Sequence, residues 1–426
     1  MSFSDFTIVK LKDITIGGKG SYGIGAPAVD YKESLYTYLR ITDITDEGTI
    51  IKEGLKSVDD NDASNYLLKK NDIVFARTGN STGRAYFYDE RDGEFVYAGF
   101  LIKFKLDENK VNPKYIKLYT LTNEYKSWVK SFATGSTRNN INAKMYGDMV
   151  IKLPRRNIQD KIVDIIESLN EKIRINNQMN ETLEEIAEGL FKRWFVDFEF
   201  PNEEGKPYKS SGGEMVESEL GMIPYNWKSG VLGDLIYVQN GYAFKGKDLM
   251  EHGEVGIIKI KNISSNTVDI INTQYISEIL ASKVDTKFKL CGTNLLIAMT
   301  GAEVGKIGLV PLNKKELYLN QRVGCIKELV PGGESYAYNY LLRPEAQEMI
   351  QAKAVGSAQP NISASGIEEL KVVIPSNHIL KAFQNICGSL LYNMCQLIEE
   401  NYLLIELRDT LLPKLMSGEI RVSDLC

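Results

Sequence analysis

Histidine and cysteine are scarce in this chain of 426 residues, which contains two histidines and five cysteines. A histidine-based metal site or proton relay is therefore not expected, and His252 and His378 fit surface or capping positions. The cysteines are odd in number and form no C-x-x-C pair, which favours free thiols in a reducing compartment over a disulfide scaffold or a zinc ribbon. The sequence thus predicts a protein without a bound metal or cofactor.

Long hydrophobic runs are missing as well. No stretch approaches the ~18 apolar residues that a membrane helix needs, and the opening MSFSD does not resemble a signal peptide. Apolar residues at 43% and charged residues at 25% are ordinary globular values, which excludes a mostly disordered chain. At roughly 150 residues per domain, we expect a cytoplasmic protein of more than one domain.

The chain repeats itself with an offset of 221 residues. This shift aligns identical residues near the start of each copy, such as Leu11 with Leu232, and near its end, such as Leu190 with Leu411. A shift of 222 aligns the segment ARTG at 76–79 with AMTG in the second copy. Because the register is kept along ~200 residues, the chain is a tandem duplication of one structural unit.

Each copy combines a mixed part with a long helix. Short apolar runs, glycine-rich turns and short helices predict an α/β (mixed α+β) globular domain, and Pro154 and Pro375 then precede long helical patterns. The polar stretch PNEEGKPYKSSGG between the copies is typical of a linker. The predicted order is a domain at 1–157, a central helix at 158–200, a linker at 201–217, a domain at 218–376, a distal helix at 377–417 and a tail at 418–426.

Both long helical patterns carry a seam at 4-3 spacing, which is typical of a coiled coil, and we expect the two helices to pair antiparallel. If the midpoints of the two helices lie opposite each other, Asn176 lies opposite Asn401 and the two side-chain amides can hydrogen bond to one another. The alternative is that the helices twist so that these asparagines face solvent. Pro413 should end or kink the second helix. The seam residues are Ile162, Ile166, Leu169, Ile173, Asn176, Asn180, Leu183 and Leu190 in the first helix, and Phe383, Leu390, Met394, Leu397, Asn401, Leu404 and Leu411 in the second.

Several segments of the chain resemble parts of one known protein family. The segment MNETLEEIAEGLFKRWFVDF at 179–198, preceded by LP and followed by GMIPYNW at 221–227, is similar to the central spacer of the specificity subunits of type I restriction-modification systems. GKGSYGIGAPAVDY at 18–31 and YLRITDI at 38–44 resemble the start of a target recognition domain. The resemblance covers essentially the whole chain and is most specific in the central-helix segment.

The resemblance implies a non-catalytic subunit of a restriction and adenine-methyltransferase complex. Such a subunit reads a bipartite, asymmetric site in double-stranded DNA, one half with each recognition domain, and its helix pair sets the spacer. It carries two copies of the methyltransferase subunit, and endonuclease/translocase subunits join for cleavage. Two alternatives stay open: a self-contained DNA methyltransferase or nuclease with duplicated recognition domains, and a coiled-coil adaptor that does not bind DNA.

Polar loops at equivalent positions of the two copies are the candidate DNA contacts. Serine, threonine and backbone amides hold phosphates, whereas arginine, asparagine and glutamine pair with base edges. Simple conformational turns are the alternative explanation. The candidates are Lys19, Tyr22, Arg77, Thr78, Asn80, Ser81, Arg84, Ser136, Thr137, Arg138, Asn139, Asn140 and Asn142 in the first copy, and Lys245, Thr300, Lys306, Ser357, Gln359 and Asn361 in the second.

The central helix and the linker that follows it are acidic, since residues 158–217 hold seven lysines and arginines against fourteen aspartates and glutamates. A charge run is usually a solvated face, yet this one also repels phosphate, which favours a helix that contacts protein partners rather than DNA. Its end is rich in apolar, mostly aromatic residues that form either a core or a docking surface for the methyltransferase subunit, and we favour the core. These residues are Leu190, Phe191, Trp194, Phe195, Phe198 and Phe200.

Two short motifs resemble enzyme sites without their context. GKGSYG at 18–23 fits G-x-G-x-x-G, but Pro27 follows where a dinucleotide-binding fold would open a helix. NPKY at 112–115 resembles the catalytic loop of adenine methyltransferases, but it lacks the second proline and has no counterpart in the second copy. We therefore expect no catalytic residue in this chain.

Overall fold

The computed structural model describes residues 6–132, 140–354 and 360–422. Its contacts divide the chain into two units, the first formed by Met1–Glu171 with Leu404–Cys426 and the second by Lys172–Leu403. Each unit combines a mixed α/β domain with parts of both long helices. This confirms the fold class that the sequence predicted.

The first unit consists of short strands and helices followed by the start of a long helix. Its strands are β1 (Phe6–Lys10), β2 (Ser21–Tyr22), β3 (Ala28–Asp30), β4 (Tyr36–Leu39), β5 (Lys56–Val58), β6 (Asp72–Ala76), β7 (Ala85–Phe87), β8 (Phe95–Tyr97), β9 (Leu101–Lys105) and β10 (Val150–Pro154). Its short helices are α1 (Pro113–Tyr119), α2 (Asn123–Lys130) and α3 (Ala143–Gly147), and the long helix α4 (Arg156–Phe191) begins here. The strands form sheets of order β2-β9-β6-β7 and β3-β5-β4-β8 and the antiparallel pair β1-β10.

Local sequence explains the first sheet and the helix that follows it. The sequence of β6, DIVFA, is buried at every position, as expected of a strand that pairs on both edges, here with β7 and β9. α1 begins after Asn112, whose side chain accepts a hydrogen bond from the Lys114 amide, with Pro113 in the first turn. Tyr115 is buried in the core. The NPKY motif is therefore a helix start.

The second unit repeats this plan with additional short strands. Its strands are β11 (Met215–Ser218), β12 (Gly221–Pro224), β13 (Lys228–Val231), β14 (Ile236–Asn240), β15 (Val255–Ile258), β16 (Ile263–Ser264), β17 (Thr267–Val268), β18 (Gln274–Ile276), β19 (Lys289–Leu290), β20 (Leu295–Ala298), β21 (Ile307–Leu309), β22 (Glu316–Leu319), β23 (Val323–Glu328) and β24 (Lys371–Ile374). Its helices are α5 (Glu278–Ala281), α6 (Gly333–Leu342), α7 (Pro344–Lys353), α8 (Ala364–Glu368) and the long α9 (Asn377–Ser417).

The sheets of the second unit follow the strand order of the first. The order β14-β23-β20-β21 corresponds to β2-β9-β6-β7 and is extended by β17 and β16, and β18-β15-β22 corresponds to β5-β4-β8, with β19 and β3 added at opposite edges of the two sheets. The parallel pair β15-β22 matches the parallel pair β4-β8, and β13-β24 matches β1-β10. The sequence repeat is therefore a structural repeat.

Each unit has its own hydrophobic core to which the long helices contribute. In the first unit, Ile166 of α4 and Leu412 of α9 join a core with the residues of β6, β9 and α1. In the second unit, Phe191, Trp194 and Phe195 are buried at the end of α4, which passes into a π-helical turn at Lys192–Val196. The aromatic residues at the end of α4 thus form core, as the sequence favoured.

The long helices meet along the predicted seam. Every seam residue named above is buried or half-buried. In the second unit, the Asn176 side chain donates a hydrogen bond to Asn401 Oδ1 at 2.9 Å, and Asn401 donates to Asn177 Oδ1 at 2.8 Å. In the first unit, Arg408 donates to Asn170 Oδ1 at 3.2 Å. These pairs run in opposite chain directions, as an antiparallel pair requires.

The second helix does not end at Pro413, where the sequence predicted a break or a kink. α9 continues through Pro413 to Ser417. Proline has no amide hydrogen, so the helix lacks one backbone hydrogen bond there. Leu412 and Leu415 on either side of it are buried in the core of the first unit, and this packing holds the final turn in helical form.

The described residues include no helix with the length and hydrophobicity to span a membrane. Across residues 6–132, 140–354 and 360–422, histidine, cysteine, aspartate and glutamate also form no group of three or more that could hold a metal ion.

Candidate nucleic-acid interface

Three backbone segments of the first unit meet beyond the end of β6. We call this arrangement the first corner, and it consists of the loop 77–84, the turn 98–101 and residues 140–142. The Arg77 amide donates to the Phe100 carbonyl at 3.0 Å, and the Ile141 amide donates to the Arg77 carbonyl at 2.9 Å. Gly83 closes the loop by donating to the Ala76 carbonyl at 2.9 Å. Arg77 thus links all three segments through its backbone.

The second unit contains the same arrangement, the second corner. It consists of the loop 299–306, the turn 320–323 and residues 360–363. The Met299 amide donates to the Arg322 carbonyl at 3.1 Å, and the Ile362 amide donates to the Met299 carbonyl at 3.0 Å. Gly305 donates to the Ala298 carbonyl at 2.9 Å. These are the hydrogen bonds of the first corner shifted by 221 or 222 positions, so both units keep one backbone frame.

Predicted contacts come together at the first corner. The Arg77 guanidinium lies 5.0 Å from the centre of the Tyr22 ring, and its Nε donates to Asn140 Oδ1 at 3.4 Å. The Tyr22 hydroxyl accepts a hydrogen bond from the Ala143 amide at 3.2 Å, which ties the ring to the start of α3. Tyr22 is still 42% exposed, and Asn140 is exposed. This cluster presents a guanidinium, an amide and a ring to solvent, the groups that contact base edges and phosphates.

The remaining exposed candidates of the first unit surround this cluster. Lys19 and Asn80 are exposed. Thr78 is half-buried and forms an isolated backbone bridge with Asn140. Asn142 is exposed, but its Oδ1 accepts the Met145 amide at 3.0 Å and caps α3, so only its amino group is left for a ligand.

Two candidates of the loop 77–84 support its shape. Ser81 is buried. Arg84 Nε donates to Asp46 Oδ1 at 2.8 Å, and its Nη1 donates to the Ile44 carbonyl at 2.9 Å. The Arg84 side chain therefore donates its hydrogen bonds to the segment 44–46, whereas Arg77 at the other end of the loop faces the corner.

The second corner carries different side chains. Thr300 Oγ1 donates to Asn361 Oδ1 at 2.8 Å, and Asn361 is exposed. Lys306 is exposed and pairs with Glu303, which partly neutralises it. Lys245 is exposed on the loop after β14. Six further candidates, Ser136, Thr137, Arg138, Asn139, Ser357 and Gln359, lie outside the described residues.

Sequence reasoning did not single out Phe100 and Arg322. Phe100 is 60% exposed in the turn of the first corner, and Arg322 is exposed at the matching position of the second. A phenylalanine directly before the strand β9 reads as a strand residue, which conceals its exposure. Its alignment with an arginine at an offset of 222 was the available signal.

The glycine motif that suggested a dinucleotide site has a packing role. A Cβ at Gly23 would collide with the carbonyl oxygens of Tyr97 and Ala98, and one at Gly241 would collide with that of Asn320. In both units, a glycine thus lets a loop approach the backbone of the turn that completes the corner.

A buried carboxylate lies at the far end of β6 from the corner. Asp72 is 1% exposed, and the Nζ atoms of Lys103 and Lys105 lie 3.4 and 3.8 Å from it. Burial raises the pKa of Asp72, although the two lysines oppose this effect. At about 3.3 Å per strand residue, Asp72 is roughly 16 Å from Arg77, so it does not compensate the charge of the corner.

Comparison with known proteins places these features in a family. The family model described as "Type I restriction modification DNA specificity domain" matches residues 4–185 and again 224–399. The chain is 25% identical over 409 residues to the type I restriction enzyme HindI specificity subunit of Haemophilus influenzae, covering 83% of this chain and 87% of that protein. It is 27% identical over 323 residues to the MjaIX specificity subunit of Methanocaldococcus jannaschii, covering 75% and 72%.

The fold is also that of a solved structure. The crystal structure of the type I restriction-modification system S subunit from M. genitalium matches with a TM-score of 0.59 at 16% identity, covering 96% of each chain. At 16% identity, the match shows a similar fold and nothing more, and it covers both units and both long helices.

Proposed function

The chain belongs to the family of type I restriction-modification specificity subunits, and from this premise we propose that each recognition domain reads one half of a bipartite, asymmetric site in double-stranded DNA. A specificity subunit with two target recognition domains is the non-catalytic component of a type I enzyme. We assign the domains to residues 1–157 and 218–376, joined through the central helix at 158–200 and the linker at 201–217, with the distal helix at 377–417 and the tail at 418–426.

The duplicated corner is the observation that carries this proposal. The backbone frame is the same in both units, whereas the side chains on it differ: Arg77 stands where the second corner has Met299, and Phe100 stands where it has Arg322. A constant frame with variable side chains suits two modules that bind DNA in one way and read different bases.

The partners follow from the same family. We propose that two copies of the methyltransferase subunit bind the long helices and that endonuclease/translocase subunits complete the cytoplasmic complex. On α4 within the second unit, Ile175, Met179 and Ile186 are 40%, 46% and 49% exposed at i, i+4 and i+11, which places them on one helical face. An apolar stripe on an otherwise acidic helix supports contact with protein rather than DNA.

A domain exchange tests the modular readout. Residues 1–150 are replaced by the matching part of a relative, and the methylated motif of host DNA is sequenced with the complete complex. We expect one half of the motif to change and the other to stay. The reciprocal exchange within 218–376 is the matched control and should change the opposite half. A change of both halves after one exchange would refute separate readout.

The expected lack of methyltransferase activity is tested on the purified chain. Incubated with S-adenosylmethionine and DNA, it should transfer no methyl groups, whereas the complex reconstituted with methyltransferase subunits should. Methyl transfer by the chain alone at the rate of the complex would instead favour a self-contained methyltransferase.

A further inference from the structure

Phe100 and Arg322 occupy one and the same position of the two corners. The carbonyl of each accepts the amide hydrogen bond of the first loop residue, Arg77 in one unit and Met299 in the other. Each turn is closed by a further hydrogen bond, from Leu101 to the Ala98 carbonyl at 2.8 Å in the first unit. Val323 donates to the Asn320 carbonyl at 2.9 Å in the second. This backbone is therefore fixed on both sides of the side chain.

The side chains at this position are turned outward. Phe100 is 60% exposed, although phenylalanine is usually buried. Arg322 is exposed, and among residues 6–132, 140–354 and 360–422 no carboxylate lies within ion-pair distance of its guanidinium. By contrast, Arg84 and Lys306 on the neighbouring loops are held by Asp46 and Glu303. A rigid backbone that presents a large apolar ring in one unit and an arginine with free donors in the other indicates a contact position.

Each corner offers one arginine and one apolar residue at two hydrogen-bonded positions, in exchanged order. The first corner has Arg77 at the loop and Phe100 at the turn, whereas the second has Met299 at the loop and Arg322 at the turn. Met299 is 5% exposed, so the loop position of the second corner has no donor to offer there. The arginine is therefore at the loop position in the first corner and at the turn position in the second.

We propose that Phe100 and Arg322 are specificity-determining residues, each contacting a base edge in the half-site of its own domain. Arginine pairs bidentately with the O6 and N7 atoms of guanine in the major groove, and phenylalanine makes apolar contact with the methyl group of thymine. We therefore infer that Arg322 selects a guanine and that Phe100 selects a thymine. This inference rests on the DNA-reading function proposed above and assigns it to a position outside the predicted polar loops.

The test uses the complete complex with its methyltransferase subunits and duplex libraries randomised in both half-sites. Phe100→Ala should lower methylation of the preferred sequence by about 5- to 150-fold relative to its single-base variants, at one position of one half-site. Arg322→Ala should do the same in the other half-site. Arg322→Lys keeps the charge but loses the bidentate geometry, so it should relax base choice while keeping most of the affinity.

Controls separate this inference from the proposed function. Ile8→Ala removes a side chain that is 70% exposed in β1 of the first unit and should leave both half-sites unchanged. If the wild-type complex selects no two-part motif, the proposed function fails. If it does, and Phe100→Ala and Arg322→Ala keep that motif, this inference alone is overturned. Uniform weakening for all sequences, restored by Arg322→Lys, would show a phosphate contact and overturn the base reading by Arg322.

Discussion

Arg77 and Arg84 lie at the two ends of one loop but make different contacts. Arg77 faces the Tyr22 ring at the corner, whereas Arg84 is hydrogen bonded to Asp46 and to the Ile44 carbonyl. Arg77→Ala should cost about 1–3 kcal/mol in binding of the cognate duplex and leave the free energy of unfolding unchanged. Arg84→Ala should lower the free energy of unfolding by about 1 kcal/mol through its lost hydrogen bonds. Fluorescence anisotropy and urea denaturation of both variants check this, and the reverse pattern would contradict it.

Acid stability depends on a second arginine of the first unit. Hydrogen bonding from Arg91 holds the pKa of Asp89 at about 2, well below its ordinary value of 3.8. A carboxyl group with a lowered pKa stabilises the folded state above its unfolded pKa, and this contribution is lost as the pH falls through the folded pKa. Asp89→Asn should therefore be less stable than wild type at pH ~6, and the difference should narrow between pH ~4 and ~2. Thermal denaturation across this range measures it, and a difference that does not vary with pH would exclude the ion pair as its cause.

At the scale of single residues, the sequence predicts which loops carry the candidate contacts, but not which side chains of these loops face the corner. The sequence marks Tyr22, Arg77 and Asn140 as candidate contacts, but it places Tyr22 in a loop, whereas this residue lies in the strand β2. The meeting of the three side chains depends on contacts across 55 and 63 positions of chain. Arg84 looked equivalent to Arg77 because its partner Asp46 is 38 residues away. The exposure of Phe100 could not be predicted, because phenylalanine is usually buried and the sequence pattern gives only such average burial.

Among the secondary-structure elements, the helix pair depends on its polar layer. Asn176 is 0% exposed and Asn401 is 7% exposed, and their hydrogen bond is 2.9 Å long. Asn176→Leu should destabilise the protein by about 1–3 kcal/mol because the Asn401 carbonyl oxygen loses its donor in a buried place. The double variant Asn176→Leu/Asn401→Leu should recover much of this loss, since both polar groups are then removed. Denaturation of the two single variants and the double variant gives the coupling energy, and strictly additive losses would refute a direct interaction.

The helices were the most predictable elements because their pattern is local. A seam at 4-3 spacing is readable from consecutive heptads, and opposing the midpoints of the two helices predicts the pairing of Asn176 with Asn401 that the structure contains. Pro413 is the exception: its chemistry predicts that it ends or kinks the helix, and the helix does not end there. Leu412 and Leu415 on either side of it are buried in the core of the first unit, and their packing keeps the helix continuous. Burial in a core that distant segments form cannot be predicted from the helix sequence alone.

On the scale of the whole molecule, duplication makes the chain a single-polypeptide counterpart of a protein dimer. A symmetric dimer reads two identical half-sites at a separation that its interface fixes. A duplicated chain lets each copy diverge, as the exchanged Arg77 and Arg322 illustrate. Under the proposed function, the DNA site is then asymmetric, and we expect the antiparallel helices α4 and α9 to set the separation of its halves.

This role of the helices leads to a prediction on spacer length. At about 1.5 Å per residue, the helical stretch from Ile162 at the start of the seam to Trp194 at the end of the central helix is roughly 48 Å long, the length of about 14 base pairs. Two half-sites of roughly 3 to 5 base pairs each then leave an unread spacer of about 4 to 8 base pairs. Residues 168–174 lie opposite 403–409 in the register of the Asn176–Asn401 pair, so deleting both heptads keeps the seam.

The double deletion should shorten the separation by about 10 Å, or some 3 base pairs. Methylation is profiled across duplexes that carry both half-sites with spacers of every length. Deleting 168–174 alone is the control and should abolish activity, since it leaves one seam longer than the other. The accompanying rotation about the duplex axis lowers the rate at the new optimum, because each half-site turns with the groove. An active double-deletion variant that keeps the original spacer would show that the helix pair does not set the distance.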